Sequence, residues 1–203
     1  MLTPEPFRSF FQDIDRRCRF AREERLRLCV IGSAALMLQT DYVRGTKDSD
    51  ILETTELATD DRQRLREVAG VGTSVAKRHR MHLEIVSSGL PFLPLSSQWH
   101  SLQDLNQSLL HLTVHVLDVV DVVVSKLKRF SPNDVSDIRA MTEKGLVEHR
   151  RLIERFQSAV DVYGGDARAD DLPKYVKNLN RVERDHLGVP ETAIELPGWV
   201  VED

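Results

Sequence analysis

Apolar residues recur along the chain with two different periods, and each period predicts a different element. Over residues of about 5–25 they follow the spacing of one helical face. Those positions are Phe7, Phe10, Phe11, Ile14, Cys18 and Ala21. Four short runs further on have the length and residue types of strands. They are Leu26–Val30, Asp48–Leu52, Met81–Val86 and His111–Leu117.

Helical patterns separate these strands and fill the rest of the chain. Ser33 stands where it would N-cap a helix running to Gln39, and Asp60–Val68 predicts a helix that Gly70 stops. The β-branched run Val119–Val124 favours a helix by its context but leaves a strand open. Later helices are predicted over residues of about 119–129, 132–144, 147–162 and 172–187.

These elements predict an α/β (α+β) chain in two parts. Residues 1–118 contain all four predicted strands and the N-terminal helix. Residues 119–203 form a helical C-terminal half, which we expect to pack on the first part. The fold class is therefore a small mixed sheet flanked by helices.

Composition narrows the class of protein. The chain has 203 residues, of which 41% are hydrophobic and 30% charged, as in a folded globular protein. Its net charge of −4 gives no global reason to expect nucleic-acid binding. No apolar stretch approaches the roughly 20 residues that a membrane span needs. The N-terminus does not have the pattern of a signal peptide. Cys18 and Cys29 suggest no disulfide framework, so we expect a cytoplasmic protein. Because no long apolar stretch occurs, we expect no membrane contact.

The strongest chemical signal combines a Gly-Ser pair with two acids. Gly32 and Ser33 follow the first strand and open a helix, where free backbone N–H groups bind anions. Asp48 and Asp50 share one face of the second strand, about 6–7 Å apart. Carboxylates held so close favour a hard cation such as Mg²⁺ between them. The alternative is a turn in which these acids accept local backbone hydrogen bonds.

The order of these residues resembles the nucleotidyltransferase-fold superfamily, the polymerase-beta-like group. The matching pattern is Gly32-Ser33, a short helix, and then Arg44-x-Thr46-x-Asp48-x-Asp50. It is most similar to the branch that contains the abortive-infection E toxins and their bacterial relatives. The resemblance implies that Gly32 and Ser33 bind the outer phosphates of a nucleoside triphosphate. It also implies two Mg²⁺ ions, held by Asp48, Asp50 and a third carboxylate on a neighbouring strand.

Glu84 is the candidate for that third carboxylate. It lies inside the apolar strand Met81–Val86, where a buried, unpaired acid would be costly. It should therefore face solvent, a cation or a basic partner. The alternative is an ordinary solvent-facing Glu.

A second block lies in the helical half. Lys126 and Arg129 share one helical face, as Asp134 and Asp137 do on the next helix. The resemblance implies that Lys126 neutralises the triphosphate, with Arg129 beside it, and that Asp134 is a functional acid. A structural network of ion pairs between the two helices explains the same residues equally well.

Two further features have two interpretations each. Arg44 and Thr46 would bind nucleotide by the resemblance, although Arg44 could instead pin the loop through its own acids. The basic run Lys77–Arg80 is either a solvated surface or a guide for a polyanionic acceptor toward Glu84. No P-loop, dinucleotide-binding or serine-hydrolase motif occurs.

The resemblance implies transfer of a nucleoside monophosphate from a nucleoside triphosphate to an acceptor hydroxyl. The catalytic residues would be Asp48, Asp50, Glu84, Lys126 and Asp134. The acceptor stays open among tRNA, a protein and a small molecule. A toxin paired with an antitoxin protein is the expectation at the level of the branch. The alternative is an inactive nucleotide-binding or partner-binding module on the same fold.

Overall fold

The computed structural model describes residues 3–18, 24–45, 48–54, 56–165 and 167–200, without the side chains of Asp48, Ala167 and Arg168. The chain forms two compact units. We call residues 1–90 with 99–117 the sheet unit, and residues 91–98 with 118–203 the helical unit. Within the described ranges, no helix combines the length and the apolar character needed to cross a membrane.

The sheet unit is built on one five-stranded mixed sheet. Its strands are β1 (Leu26–Val30), β2 (Asp48–Leu52), β3 (His82–Val86), β4 (Trp99–Ser101) and β5 (Leu112–Leu117). The order is β3-β2-β1-β5-β4, with β1 parallel to β5 and antiparallel to β2, and β2 parallel to β3. All four predicted strands are confirmed. The three-residue β4, antiparallel to β5, is too short for alternation to reveal it.

Five helices accompany this sheet within the described residues of the unit. They are α1 (Glu5–Arg17), α2 (Gly32–Gln39), α3 (Thr59–Ala69), α4 (Ser74–His79) and α5 (Gln103–Asn106). The predicted helix before Gly70 is confirmed as α3, whose C-cap is Gly70. The predicted N-cap of α2 was wrong, because Ile31 is the N-cap and Ser33 lies inside the first turn. Residues 19–23, the end of the predicted N-terminal stripe, lie outside the described residues.

The helical unit contains α6 (Val119–Arg129), α7 (Pro132–Glu143), α8 (His149–Tyr163) and α9 (Leu172–Val182), with a 3-10 turn at Ala167–Asp171 and a π-helical end at Glu183–Leu187. The strand alternative at Val119–Val124 was wrong, since Asp118 caps α6 by accepting a hydrogen bond from the Val120 N–H. Phe92 packs its ring against three aromatic rings of this unit at centroid distances of 5.0–5.3 Å. They belong to Phe156, Tyr163 and Tyr175.

The two faces of the sheet differ in chemistry. Leu28 and Val30 of β1 and Ile51 of β2 are buried on one face. Because side chains alternate along a strand, Asp50 and its register partner Glu84 lie on the other face. The sheet thus separates an apolar core from a face that carries carboxylates.

Candidate active site

The Gly-Ser turn and the acidic strand meet at Gly32. Its backbone has φ of +66°, in the left-handed region that glycine adopts without strain. A Cβ at this position would lie 2.9 Å from Oδ2 of Asp50. The Ile31 N–H also donates to the backbone carbonyl of Asp50 at 2.9 Å. Glycine is therefore required both by its backbone conformation and by the close approach of the Asp50 carboxylate.

Asp50 and Glu84 are neighbours across the sheet. They are register partners on the parallel strands β2 and β3, which lie about 4.8 Å apart in any sheet. Register partners point to the same face, so the two carboxylates stand side by side, with Asp50 half-buried and Glu84 exposed. Asp48 pairs with His82 in the same ladder, although its side chain lies outside the described part of the chain.

Carboxylate oxygens are the ligands that Mg²⁺ prefers, and Asp50 and Glu84 supply them from adjacent strands. The bare Cα of Gly32 leaves space beside one of them. Among the described side chains, no three His, Cys, Asp or Glu residues gather closely enough to hold a metal ion, and the Asp48 carboxylate is not among them. Asp50 and Glu84 fit the predicted hard cation in two respects: both are carboxylates, and both lie on the same face of the sheet.

Arg44 and Ser33 join the loop before β2 to the Gly-Ser turn. Nη1 of Arg44 donates to Oγ of Ser33 at 3.1 Å. The guanidinium therefore lies against the hydroxyl that was predicted to hold phosphate. Thr46, the other predicted binding residue of this loop, lies outside the described residues.

The profile of one protein family matches residues 7–178, well over half of the chain. The family is described as a nucleotidyltransferase of unknown function (DUF6036). This chain belongs to that nucleotidyltransferase family. Neither the curated proteins nor the solved structures provide a match. The matched region contains the Gly32 turn, β2, β3 and the ion-pair residues of α6 and α7.

In this member of the family, the second predicted block forms a buried ion cluster within the helical unit. Nζ of Lys126 lies 3.2 Å from Oδ1 of Asp134 and 2.7 Å from Oδ2 of Asp137, with all three side chains at most 6% exposed. Arg129 approaches Asp134 from the solvent side, Nε to Oδ2 at 2.8 Å, and is itself 74% exposed. The ion-pair network that the sequence allowed between these helices is therefore present.

Asp134 is held in its charged form. Burial alone would raise its pKa, but hydrogen bonds from Arg129 and Ser131 and the charge of Lys126 lower the pKa far below the ordinary value. Asp134 also completes a capping box with Ser131 at the start of α7. Through these contacts Lys126 and Asp134 stabilise the helical unit. Their role toward nucleotide stays a prediction from the resemblance.

The basic run Lys77–Arg80 is divided between two tasks. Arg78 and His79 bind the Asp13 carboxylate of α1 at 2.8 and 3.1 Å. Burial tends to raise the Asp13 pKa, but hydrogen bonds from Arg17 and His79 and the charges of Arg17 and Arg78 outweigh it and lower the pKa to about 2.

The other two basic residues of the run, Lys77 and Arg80, line a surface cavity of about 360 Å³ together with His82. His82 lies two residues before Glu84, so strand alternation places both on one face, and this alternation is the signal that the sequence offers for it. Sequence patterns assign no chemistry to His82, because the cavity depends on α4, which they did not predict.

Proposed function

We propose that this protein is a metal-dependent nucleotidyltransferase, which moves a nucleoside monophosphate from a nucleoside triphosphate to an acceptor hydroxyl. The observation that carries the proposal is the pairing of Asp50 with Glu84 on one sheet face, against the bare backbone of Gly32. Family membership supports the reaction class. An inactive binding module would not need a second carboxylate beside Asp50.

The chain supplies three kinds of group to the reaction. The N–H groups that open α2, with the Ser33 hydroxyl and the Arg44 guanidinium beside it, would bind the β- and γ-phosphates. Asp48, Asp50 and Glu84 would hold two Mg²⁺ ions, which supply charge neutralisation at the attacking and leaving oxygens. By the resemblance, Lys126 and Arg129 would add positive charge toward the triphosphate, and Asp134 would act as a functional acid.

The step itself is an in-line displacement at the α-phosphorus. The acceptor oxygen forms a bond to that phosphorus while the bond to the bridging oxygen of the β-phosphate breaks. Pyrophosphate takes the electron pair and leaves, and the proton of the acceptor hydroxyl passes to water. Ser33 and Arg44 act on the leaving group, because they hold the phosphates that depart.

The biological setting follows from the resemblance and from the thiols. We propose a cytoplasmic protein, because Cys18 and Cys29 are both free and buried. A toxin neutralised by an antitoxin protein is the role that the abortive-infection resemblance supports. Growth arrest on expression of the parent, but not of an Asp50→Asn variant, would support that role. Normal growth with both would contradict it.

The test of the reaction uses the purified chain, Mg²⁺ and each nucleoside triphosphate with a labelled α-phosphate, together with total RNA and total protein as acceptors. We expect label on an acceptor with the parent, and a loss of more than about 100-fold in Asp50→Asn and Glu84→Gln. Even partners outside a metal's ligand shell commonly cost 10–100-fold.

Glu67→Gln is the matched control, since Glu67 is an exposed carboxylate on α3 of the same unit. It should keep the parent rate. Transfer of label from the γ-phosphate, with release of a nucleoside diphosphate, would replace the proposal with a kinase reaction. No label on any acceptor, with no binding of nucleotide in calorimetry, would overturn it.

A further inference from the structure

The ends of the sheet strands place a basic cavity beside the candidate active site. Because β1 is antiparallel to β2, the end of β1 that leads into Gly32 is also the end at which β2 and β3 begin. The cavity lies at this beginning of β3, where its lining includes Met81 and His82. The Gly-Ser turn, Asp48 and the cavity thus share one end of the sheet.

His82 links the cavity to the carboxylates. It is the register partner of Asp48 and lies two residues before Glu84, so it shares the sheet face of Glu84 at about 7 Å along the strand. A group bound in the cavity would therefore reach the acidic face over the length of about one nucleotide.

The lining joins cations to apolar surface. Lys77 and Arg80 contribute positive charge, and Val71 contributes a side chain that is 80% exposed. Arg80 is the C-cap of α4 and has a left-handed backbone conformation, with φ of 53°. The volume of about 360 Å³ falls in the range of small-molecule sites. Cations that contact phosphate and a ring on which a base stacks are the two elements of a single-strand site, and the lining offers Lys77 and Arg80 for the first and the imidazole of His82 for the second.

The four residues of the basic run Lys77–Arg80 contact two different places, and two of them line the cavity. Arg78 and His79 both contact Asp13, and the positive charge of Arg78 offsets that carboxylate. Lys77 and Arg80, from the same short segment, turn to the cavity instead. The chain as a whole is acidic, with net charge −4, so local placement of these cations decides where a polyanion binds.

We propose that this cavity binds the acceptor of the reaction, and that the acceptor is the end of a single-stranded nucleic acid. This inference rests on the proposed function and adds the substrate class to it. A backbone phosphate lies against Lys77 and Arg80, and the terminal nucleotide extends past His82 toward Asp48 and Glu84. The terminal hydroxyl is the group that receives the nucleoside monophosphate.

The test measures binding without nucleotide or Mg²⁺, so that it does not depend on turnover. The probe is a fluorescein-labelled single-stranded RNA of about 12 nucleotides, a length typical of single-strand sites. Its anisotropy is followed between about 50 and 200 mM salt. Each lost phosphate contact reduces the slope of log affinity against log salt by about 0.7. Lys77→Gln and Arg80→Asn should each weaken binding and lower the slope by about this amount.

The variants are chosen to preserve the fold. Asn adopts the left-handed conformation of Arg80 more readily than most residues, and Arg80→Lys keeps the charge and should keep the slope. Arg16→Gln, on the exposed surface of α1, removes the same charge as a control and should bind like the parent. Melting temperatures confirm that each variant is folded.

Absence of RNA binding, or equal losses in Arg16→Gln and Lys77→Gln, would overturn the inference. So would equal binding of an acidic peptide, or displacement of the RNA by a free nucleoside monophosphate at similar concentration. The two proposals fail separately. Label transfer to a protein without RNA binding would overturn only the acceptor site. RNA binding without any label transfer would overturn the reaction, and the cavity would then be an RNA-binding site that is not an acceptor site.

Discussion

Two acidic clusters use the same residue types in opposite ways. In the sheet unit, Asp50 and Glu84 stand side by side on a face where Glu84 is exposed. In the helical unit, Asp134 and Asp137 are buried, and Lys126 lies between them. A buried carboxylate with its cation is part of the fold, whereas paired carboxylates on an exposed face favour a cation from outside. Position in the fold separates two motifs that look alike in sequence.

The largest effect should come from breaking the buried cluster. Asp134→Ala removes the acceptor for Arg129 and Ser131 and one of the two carboxylates that compensate Lys126. Breaking a buried ion pair costs about 3–5 kcal/mol, because the remaining charge is left uncompensated. The free energy of unfolding in urea should fall by about that amount.

Glu143→Ala is the control on the same helix. Glu143 pairs with Arg139 at the surface, where both side chains are more than half exposed. Such pairs contribute about 0–1 kcal/mol. Equal stability losses in Asp134→Ala and Glu143→Ala would mean that the buried cluster has no special weight in the fold.

The same cluster should make stability depend on acid. The pKa of Asp134 lies far below its ordinary value of 3.8 when the protein is folded. A group with a lowered folded pKa stabilises the fold fully above its unfolded pKa, and the stabilisation is lost as the pH falls below it. The stability difference between the parent and Asp134→Asn should therefore be constant above about pH 5 and shrink toward pH 2. A difference that grows as the pH falls would contradict this assignment.

Much of the sheet unit could be predicted because its signals are local. The patterns at Leu26–Val30 and Asp48–Leu52 predicted β1 and β2 with their observed first and last residues. Alternation also predicted the strand that contains Glu84. The pairing of Asp50 with Glu84 needed the fold, since register is a long-range property. The short helix α4 escaped prediction because its six residues carry no clear period.

The helical unit was harder to interpret for a physical reason. The spacing of Lys126, Asp134 and Asp137 agrees equally with a nucleotide site and with an ion-pair network. Burial and interatomic distance distinguish an ion-pair network from a nucleotide site, and the spacing of residues along the sequence predicts neither quantity. The same holds for the basic run, where Arg78 turns to Asp13 and Arg80 turns to the cavity.

A smaller effect is expected at Gly32, the glycine of the candidate active site. Gly32→Ala places a Cβ in a left-handed conformation that costs about 1–2 kcal/mol, and within 2.9 Å of Oδ2 of Asp50. The carboxylate must shift, so nucleotide transfer should fall together with stability. Gly89→Ala is the control, because its added Cβ would meet nothing within 4 Å. If Gly32→Ala kept both the parent stability and the parent rate, the close approach would have no functional meaning.

The smallest effect has the opposite sign. Like charges directly opposite each other across a sheet are destabilising, by roughly 0.2–1 kcal/mol. Asp50→Asn removes that repulsion with Glu84, so it should leave the free energy of unfolding unchanged or raise it by a few tenths of a kcal/mol. Asp134→Asn, the same chemical change in the other cluster, should lower it. Urea unfolding of both variants at neutral pH makes the measurement. If both substitutions destabilised the protein equally, Asp50 would be a structural acid like Asp134. That result would contradict the proposal that the carboxylates of the sheet face bind a metal.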